Sequence, residues 1–249
     1  RPGFGPANAP FGNNEISKNV GAFAQARLKM TDDVRVSFGG RFDKQWFNGV
    51  DGTHISTSGT SGNVNAEYDV VQGLTAYGGA GTTWGGIPLG ESLIYNLTAS
   101  WNYTDLSASR AMNYKAGFKG DHGPFSGDAH YFITRINGSH KRGSGNRQDN
   151  LNILSRGFNL SGKYTYGGGF LRATFSSQNL RANGEILVTG SASYHGFNMG
   201  EIFTLEAAHM FPQWGLRLGT TNEFALMNDD NGAAPAPGYG VVNISAQWA

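Results

Sequence analysis

His54, His140 and His195 are the side chains best able to hold a metal ion or a haem iron, since neutral imidazole is a common ligand for both. No second ligand stands at metal spacing beside His54 or His140, so both read as solvated loop histidines. His195, with Tyr194 and Met199 close by, is the one cluster that merits a test. Asn228, Asp229, Asp230 and Asn231 offer the oxygens that calcium takes, but their spacing is not that of an EF-hand and an ordinary Asx-Gly turn accounts for it. Trp46, Trp84, Tyr95, Trp101 and Tyr103 present aromatic faces on which a planar ligand could stack, and a girdle of rings at an interface is the competing reading, favoured for Trp46 and evenly balanced for the other four. Arg27, Arg35, Arg41, Lys115, Lys119, Lys163, Arg172 and Arg217 recur at alternate positions and could guide an anion; a solvated wall paired with Asp43 or Asp128 explains them more simply.

Catalysis has no foothold. The chain carries no HExxH, no GxSxG, no GxGxxG after a strand and no phosphate-binding loop, so we expect neither an enzyme nor a resident cofactor. Cysteine is absent, which removes disulfides, thiolate metal sites and a cysteine nucleophile. A net charge of +1 without a basic tract gives nucleic acid no electrostatic footprint.

The elements that must position these residues are strands. Glycine (38 residues) and aromatics (12%) are abundant, and charged residues make up only 15%. From Val34, the apolar Val34, Val36, Phe38 and Phe42 alternate with Arg35, Ser37, Arg41 and Asp43, a period of two. The preceding run sets Ala22, Ala24, Ala26, Leu28 and Met30 against Gln25, Arg27 and Lys29, with the turn at Thr31, Asp32 and Asp33. The same pattern returns along the chain, turning tightly at DVVQG, DHGP, YGGG and FPQW, and predicts about eleven strands as five hairpins and a last single strand.

Between hairpins the sequence predicts long polar loops, the first at 44–60 where the second strand extends into its loop, the others at 81–110, 137–152, 179–202 and 225–237. No apolar run approaches the ~18 residues of a spanning helix. Short turns alternating with long loops are instead the pattern of an all-β, transmembrane antiparallel barrel in the bacterial outer membrane. In such a wall Val36, Phe38, Leu171 and Ile244 face acyl tails, Arg35, Arg41, Arg172 and Arg217 face a wet lumen, and Trp46 joins an interfacial aromatic girdle. Residues 1–17 are expected to form an extracellular loop and residues 18–249 a barrel portion. An odd strand number starting outside, and a first residue Arg1 rather than methionine, predict further strands upstream.

The stretches GAFAQARLKMTDDVRVSFGGRFD, NVNAEYDVVQGLTAYGGAG, NYKAGFKGDHGPFSGDAHYF, GFNLSGKYTYGGGFLRATFS and PGYGVVNISAQW, in this order, resemble the C-terminal half of a TonB-dependent outer-membrane receptor. The resemblance implies half of a 22-stranded barrel, a plug domain and TonB-contacting segment outside this chain, and import of a scarce metal chelate past lipopolysaccharide with energy delivered through TonB. A ferric siderophore is the first cargo it implies, with haem or cobalamin as alternatives and a passive porin-like barrel as the competing function. The chain has TTWGGIPLG where haem receptors of the family carry a Phe-Arg-Ala-Pro-like motif, and Ala249 follows the aromatic Trp248 that would ordinarily close such a barrel.

Overall fold

A computed structural model describes residues 16–49, 52–87, 108–142, 148–186, 200–227 and 237–248. They form β1 (Ile16–Lys29), β2 (Val34–Asn48), β3 (His54–Val71), β4 (Leu74–Gly86), β5 (Ser109–His122), β6 (Phe125–Arg142), β7 (Gln148–Tyr166), β8 (Gly169–Ala182), β9 (Glu185–Ile186), β10 (Glu201–Phe211), β11 (Leu216–Ala225) and β12 (Tyr239–Trp248). All twelve belong to one antiparallel sheet in which each strand pairs with its sequence neighbour; β9 hangs off β8, which itself pairs with β10. The path is an open meander with β1 and β12 at its two edges.

Local chemistry fixes the tight end of the meander. Thr31 Oγ1 accepts the backbone N–H groups of Asp33 (3.3 Å) and Val34 (3.0 Å), closing the β1–β2 turn. The other turns place Gly73, Gly123, Gly168 and Gly215 at positive φ, where a side chain is disfavoured. All five turns fall at the positions expected from the sequence.

Side chains segregate as the period of two demands. In the row Phe38–Val64–Ala80–Tyr114–Ile133 every residue is apolar, while the adjacent row Ser37–Asn65–Gly79–Lys115–Phe132 is mainly polar. The large exposed hydrophobics lie mostly on the first face: Phe38 is 46% exposed, Leu171 50% and Ile244 81%. The buried side chains, Asp43, Gln45, Phe47, Trp84, Ile87, Ile153, Leu180 and Ala225, lie on the other face. This inverts a water-soluble sheet, whose apolar face would be covered, and fits a wall whose greasy side meets lipid.

The long ends depart from expectation. Residues 44–60, 81–110 and 137–152 are not loops throughout: β2 runs to Asn48 and β3 starts at His54, β4 runs to Gly86, and β6 and β7 continue to Arg142 and from Gln148. β7 has 19 residues, whereas a span needs about 9–11. Beyond the bilayer both faces meet water, so alternation fades while the hydrogen-bond ladder persists. Residues 1–15, which hold most of the expected leading loop, lie outside the described residues, and β1 begins at Ile16.

Two faces with different solvents make a sharp expectation. Leu160→Arg, on the apolar face of β7, should cost ~2–4 kcal/mol in equilibrium unfolding from phospholipid bilayers. Its neighbour Ser161→Arg should stay within ~0.5 kcal/mol; equal costs would contradict the two-sided wall.

Candidate functional site

The polar face is built in tiers. Nearest the tight turns, Glu67 on β3 accepts from three cations: Lys119 Nζ (2.7 Å), Arg35 Nε (3.1 Å) and Arg27 Nη2 (3.5 Å). Arg35 also grips Asp69 with both terminal nitrogens, each at 2.6 Å, and Asp69 takes the Thr75 hydroxyl at 2.7 Å. Five strands are thereby joined through one carboxylate pair. Such a network holds better than isolated exposed pairs because the Arg35–Asp69 contact is a two-pronged fork.

A second chain of bonds continues across β4 to β8. The Tyr77 hydroxyl donates to Asp128 (2.6 Å), whose other oxygen meets His130 Nδ1 (2.5 Å). Asn159 Nδ2 then reaches His130 Nε2 (3.0 Å), and Ser176 donates to Asn159 (2.6 Å). An imidazole with its proton on Nδ1 satisfies both neighbours. Lys115 and Lys119 sit over the Tyr77 ring at 5.6 and 5.9 Å, tying the two chains together. Further along, Arg172 meets Glu206 at 3.5 Å.

Above these tiers lies a recess of about 650 Å³. Its floor is flat because Gly39, Gly79 and Gly81 contribute no side chain, and Phe23, Arg41, Lys115 and Phe132 stand around it. Phe23 is 76% exposed despite facing this polar side. Arg41 is held by a fork to Asp43 at 2.7 and 2.6 Å, which fits because residue 21 is glycine: a Cβ there would collide with Asp43 Oδ1.

At the long end, Gln45 clamps the chain leaving β4. Its Nε2 donates to Ser17 Oγ and to the Ile87 carbonyl, both at 2.8 Å, and its Oε1 accepts the Ile87 N–H at 2.7 Å. At a register shift between Trp84 and Gly86, Trp84 turns inward, with its backbone N–H donating to Ser61 Oγ (2.9 Å) and its indole against Gly59. Any Cβ on residue 59 would overlap that ring.

Of the expected ligand-binding residues, Trp84 and His140 lie among the described residues. Trp84, expected in an outer loop, is an 8% exposed residue of β4 packed under the clamp, so its ring is not offered for stacking. His140, also expected in a loop, lies within β6 opposite Asn150. His54 lies in β3 with Nδ1 2.7 Å from Asn48 Oδ1. Tyr95, Trp101, Tyr103, Tyr194, His195, Met199 and the Asn228–Asn231 run lie outside the described residues. Among the described residues no group of three His, Asp or Glu comes together as a metal set. Arg35, Arg41, Arg172 and Arg217 all stand on the polar face, the first three in ion pairs.

Sequence reasoning missed Glu67 and Asp69 as hubs; each occupies a polar position opposite Arg35 or Thr75 in the register, a signal visible only once pairing is known. It also missed a belt of rings on the apolar face by the tight turns. Phe125, Tyr164, Tyr166, His209, Phe211 and Trp214 succeed one another at centroid spacings of 4.8, 5.9, 5.6, 4.5 and 5.5 Å. At the opposite end Trp46 faces outward beneath Lys44, whose Nζ lies 5.1 Å from its ring.

An antiparallel meander with a ring-edged apolar face and an ion-laced polar face is the wall of a transmembrane β-barrel. Over residues 1–249 the sequence matches the family model for the TonB dependent receptor-like β-barrel, and the chain belongs to that family. "Heme transporter BhuA" of Brucella abortus (strain 2308) is 30% identical over 244 residues, covering 93% of this chain and 36% of the relative. The chain thus spans about a third of the length of the curated relatives it matches. The FrpB iron transporter of Neisseria meningitidis superposes with a TM-score of 0.74 at 18% identity, covering 95% of this chain and 39% of that one. The ferric yersiniabactin uptake receptor FyuA of Yersinia pestis gives 0.72 at 12% identity, over 94% and 38%. At such identities the two structures establish the shared fold.

Two substitutions probe the tiers. Glu67→Gln leaves Arg27, Arg35 and Lys119 facing one another and should destabilise the barrel by about 1 kcal/mol at low salt; the loss should shrink in 1 M salt, where the screening length falls to ~3 Å. Gly59→Val should eject the Trp84 indole, read as a red shift of Trp84 emission in a background where the other tryptophans are phenylalanine; an unchanged spectrum would show that the ring does not rest there.

Proposed function

We propose that this wall belongs to an outer-membrane receptor that imports an iron-bearing chelate of the haem class, driven by TonB through a plug domain outside this chain. The observation carrying the cargo is the 30% identity, sustained over 93% of the chain, to a heme transporter. The wall itself performs no covalent step. Its polar side supplies a hydrated passage in which Arg27, Arg35, Arg41, Lys119 and Arg172 each have a carboxylate partner, so that an anionic chelate is guided with little trapping by bare cations.

A second reading is a ferric siderophore, supported by TTWGGIPLG standing where a Phe-Arg-Ala-Pro-like motif would mark a haem receptor. Both readings require an energised barrel, unlike a passive porin. Titration of the full-length protein with haemin, ferric siderophores and cobalamin separates them. We expect haemin to bind at least tenfold more tightly than the others, and uptake to stop when the proton gradient is collapsed. Uptake persisting without the gradient would overturn the energised reading, and selective siderophore binding would overturn the cargo.

A further inference from the structure

The apolar face carries a feature that neither transport nor barrel closure uses. Along one cross-strand row the outward residues are Met112, Arg135, Leu154 and Arg181, on β5 to β8. Arg156, two residues beyond Leu154 on β7, shares this face and is flanked across the strands by Ile133 and Asn179. Three guanidinium groups therefore surround Leu154 on the lipid side of the wall. Neighbouring strands lie ~4.8 Å apart, which puts the backbones of Arg135 and Arg181 roughly 10 Å from each other, within reach of one shared ligand.

Their height is set by the belt of rings below. Arg156 precedes Tyr166 by about ten residues, roughly 33 Å of strand at ~3.3 Å each, and about 25 Å of height at a tilt near 40°. That equals the thickness of the apolar band, and the outward residues between, Phe158, Leu160 and Tyr164, are apolar and exposed. Arg135 stands at the same distance above Phe125, which pairs with Tyr164. The arginines thus emerge where acyl chains give way to the head groups of the outer leaflet. Within hydrocarbon they would be strongly disfavoured; at this boundary they are not.

They also lack a protein counter-charge. None of the three forms an ion pair among the described residues, in contrast to the forks and pairs of the opposite face. The acidic residue of this face nearest in register, Glu201 on β10 opposite Ser177, pairs with none of them. Like charges set diagonally across strands repel one another, so the arrangement calls for an anion from outside. Arg181 is moreover held in place: Nε donates to Asn179 Oδ1 (3.2 Å) and Nη1 to the Gly184 carbonyl (3.1 Å) of the β8–β9 turn. That turn is an Asn-Gly pair with both residues at positive φ, 50° and 90°, as a tight two-residue hairpin requires.

We propose that Arg135, Arg156 and Arg181 form an external site for the phosphate groups of a phosphorylated glycolipid of the outer leaflet. Guanidinium forks match phosphate oxygens in pairs, and the rim of apolar side chains beneath receives the acyl chains of the same molecule. The site rests on the outer-membrane location proposed above.

The full-length receptor, purified from its own outer membrane in mild detergent, provides the test, with co-purified lipopolysaccharide counted per barrel by native mass spectrometry. Wild type should retain it, the triple variant R135Q/R156Q/R181Q should lose at least tenfold, and Lys163→Gln on the opposite face should change nothing. A second measurement serves if the triple variant fails to fold: wild-type protein stripped of lipid and offered intact or enzymatically dephosphorylated lipopolysaccharide should bind the latter at least tenfold more weakly. Equal retention by the triple variant, or equal binding of both glycolipids, overturns the site while leaving the transporter intact. Failure of the full-length protein to fractionate with the outer membrane overturns the location itself.

Discussion

A backbone crossing hydrocarbon must find a partner for every N–H and C=O within the protein, because lipid offers none. The rest of this wall is a response to that constraint. Ladders linking neighbour to neighbour between β1 and β12 satisfy it, with register shifts at Asp69/Val71, Trp84/Gly86 and Ile136/Ser139, and each ladder forces successive side chains to opposite sides. Once one side is given to acyl tails, all the polar chemistry has to gather on the other. The sheet is thin, so no core lies between its faces; ion pairs and rings at the surfaces take over the role that buried packing has in a soluble domain.

The polar side accordingly behaves as a charge-balanced lattice. Glu67 serves three cations from three other strands, and Asp128 serves a phenol and an imidazole. These links run across the strands, perpendicular to the direction in which each chain is already stiff. Absent side chains matter as much: Gly21 and Gly59 leave the space that the Arg41–Asp43 fork and the Trp84 indole occupy. The recess above the network is a broad stretch of wall where glycines leave the backbone bare.

Much of this was legible in the sequence. The alternation of Val36 and Phe38 with Arg35 and Ser37 gave both faces, and the glycine, Asn and Asp content of the turns gave the tight end. What could not be read was anything that depends on register. Glu67 lies 32 residues from Arg35, and Gln45 lies 42 from Ile87, so neither contact has a local signature. The long end misled for a different reason. Residues 44–60 and 137–152 lose their alternation because both sides meet water there, and loss of alternation looks like a loop although the ladder continues. Trp84 was expected in the 81–110 loop because the run TTWGG shows no alternation, although β4 continues through it to Gly86 across a register shift.

The Gln45 clamp also joins strands that are not neighbours: its amide reaches Ser17 on β1 and, across β3, Ile87 just past the end of β4. Ladder hydrogen bonds hold only adjacent strands, so sliding at one interface leaves the next untouched. A side chain that bridges over β3 makes β2 and β4 move together, and the long end of the wall is braced against shear by a single amide.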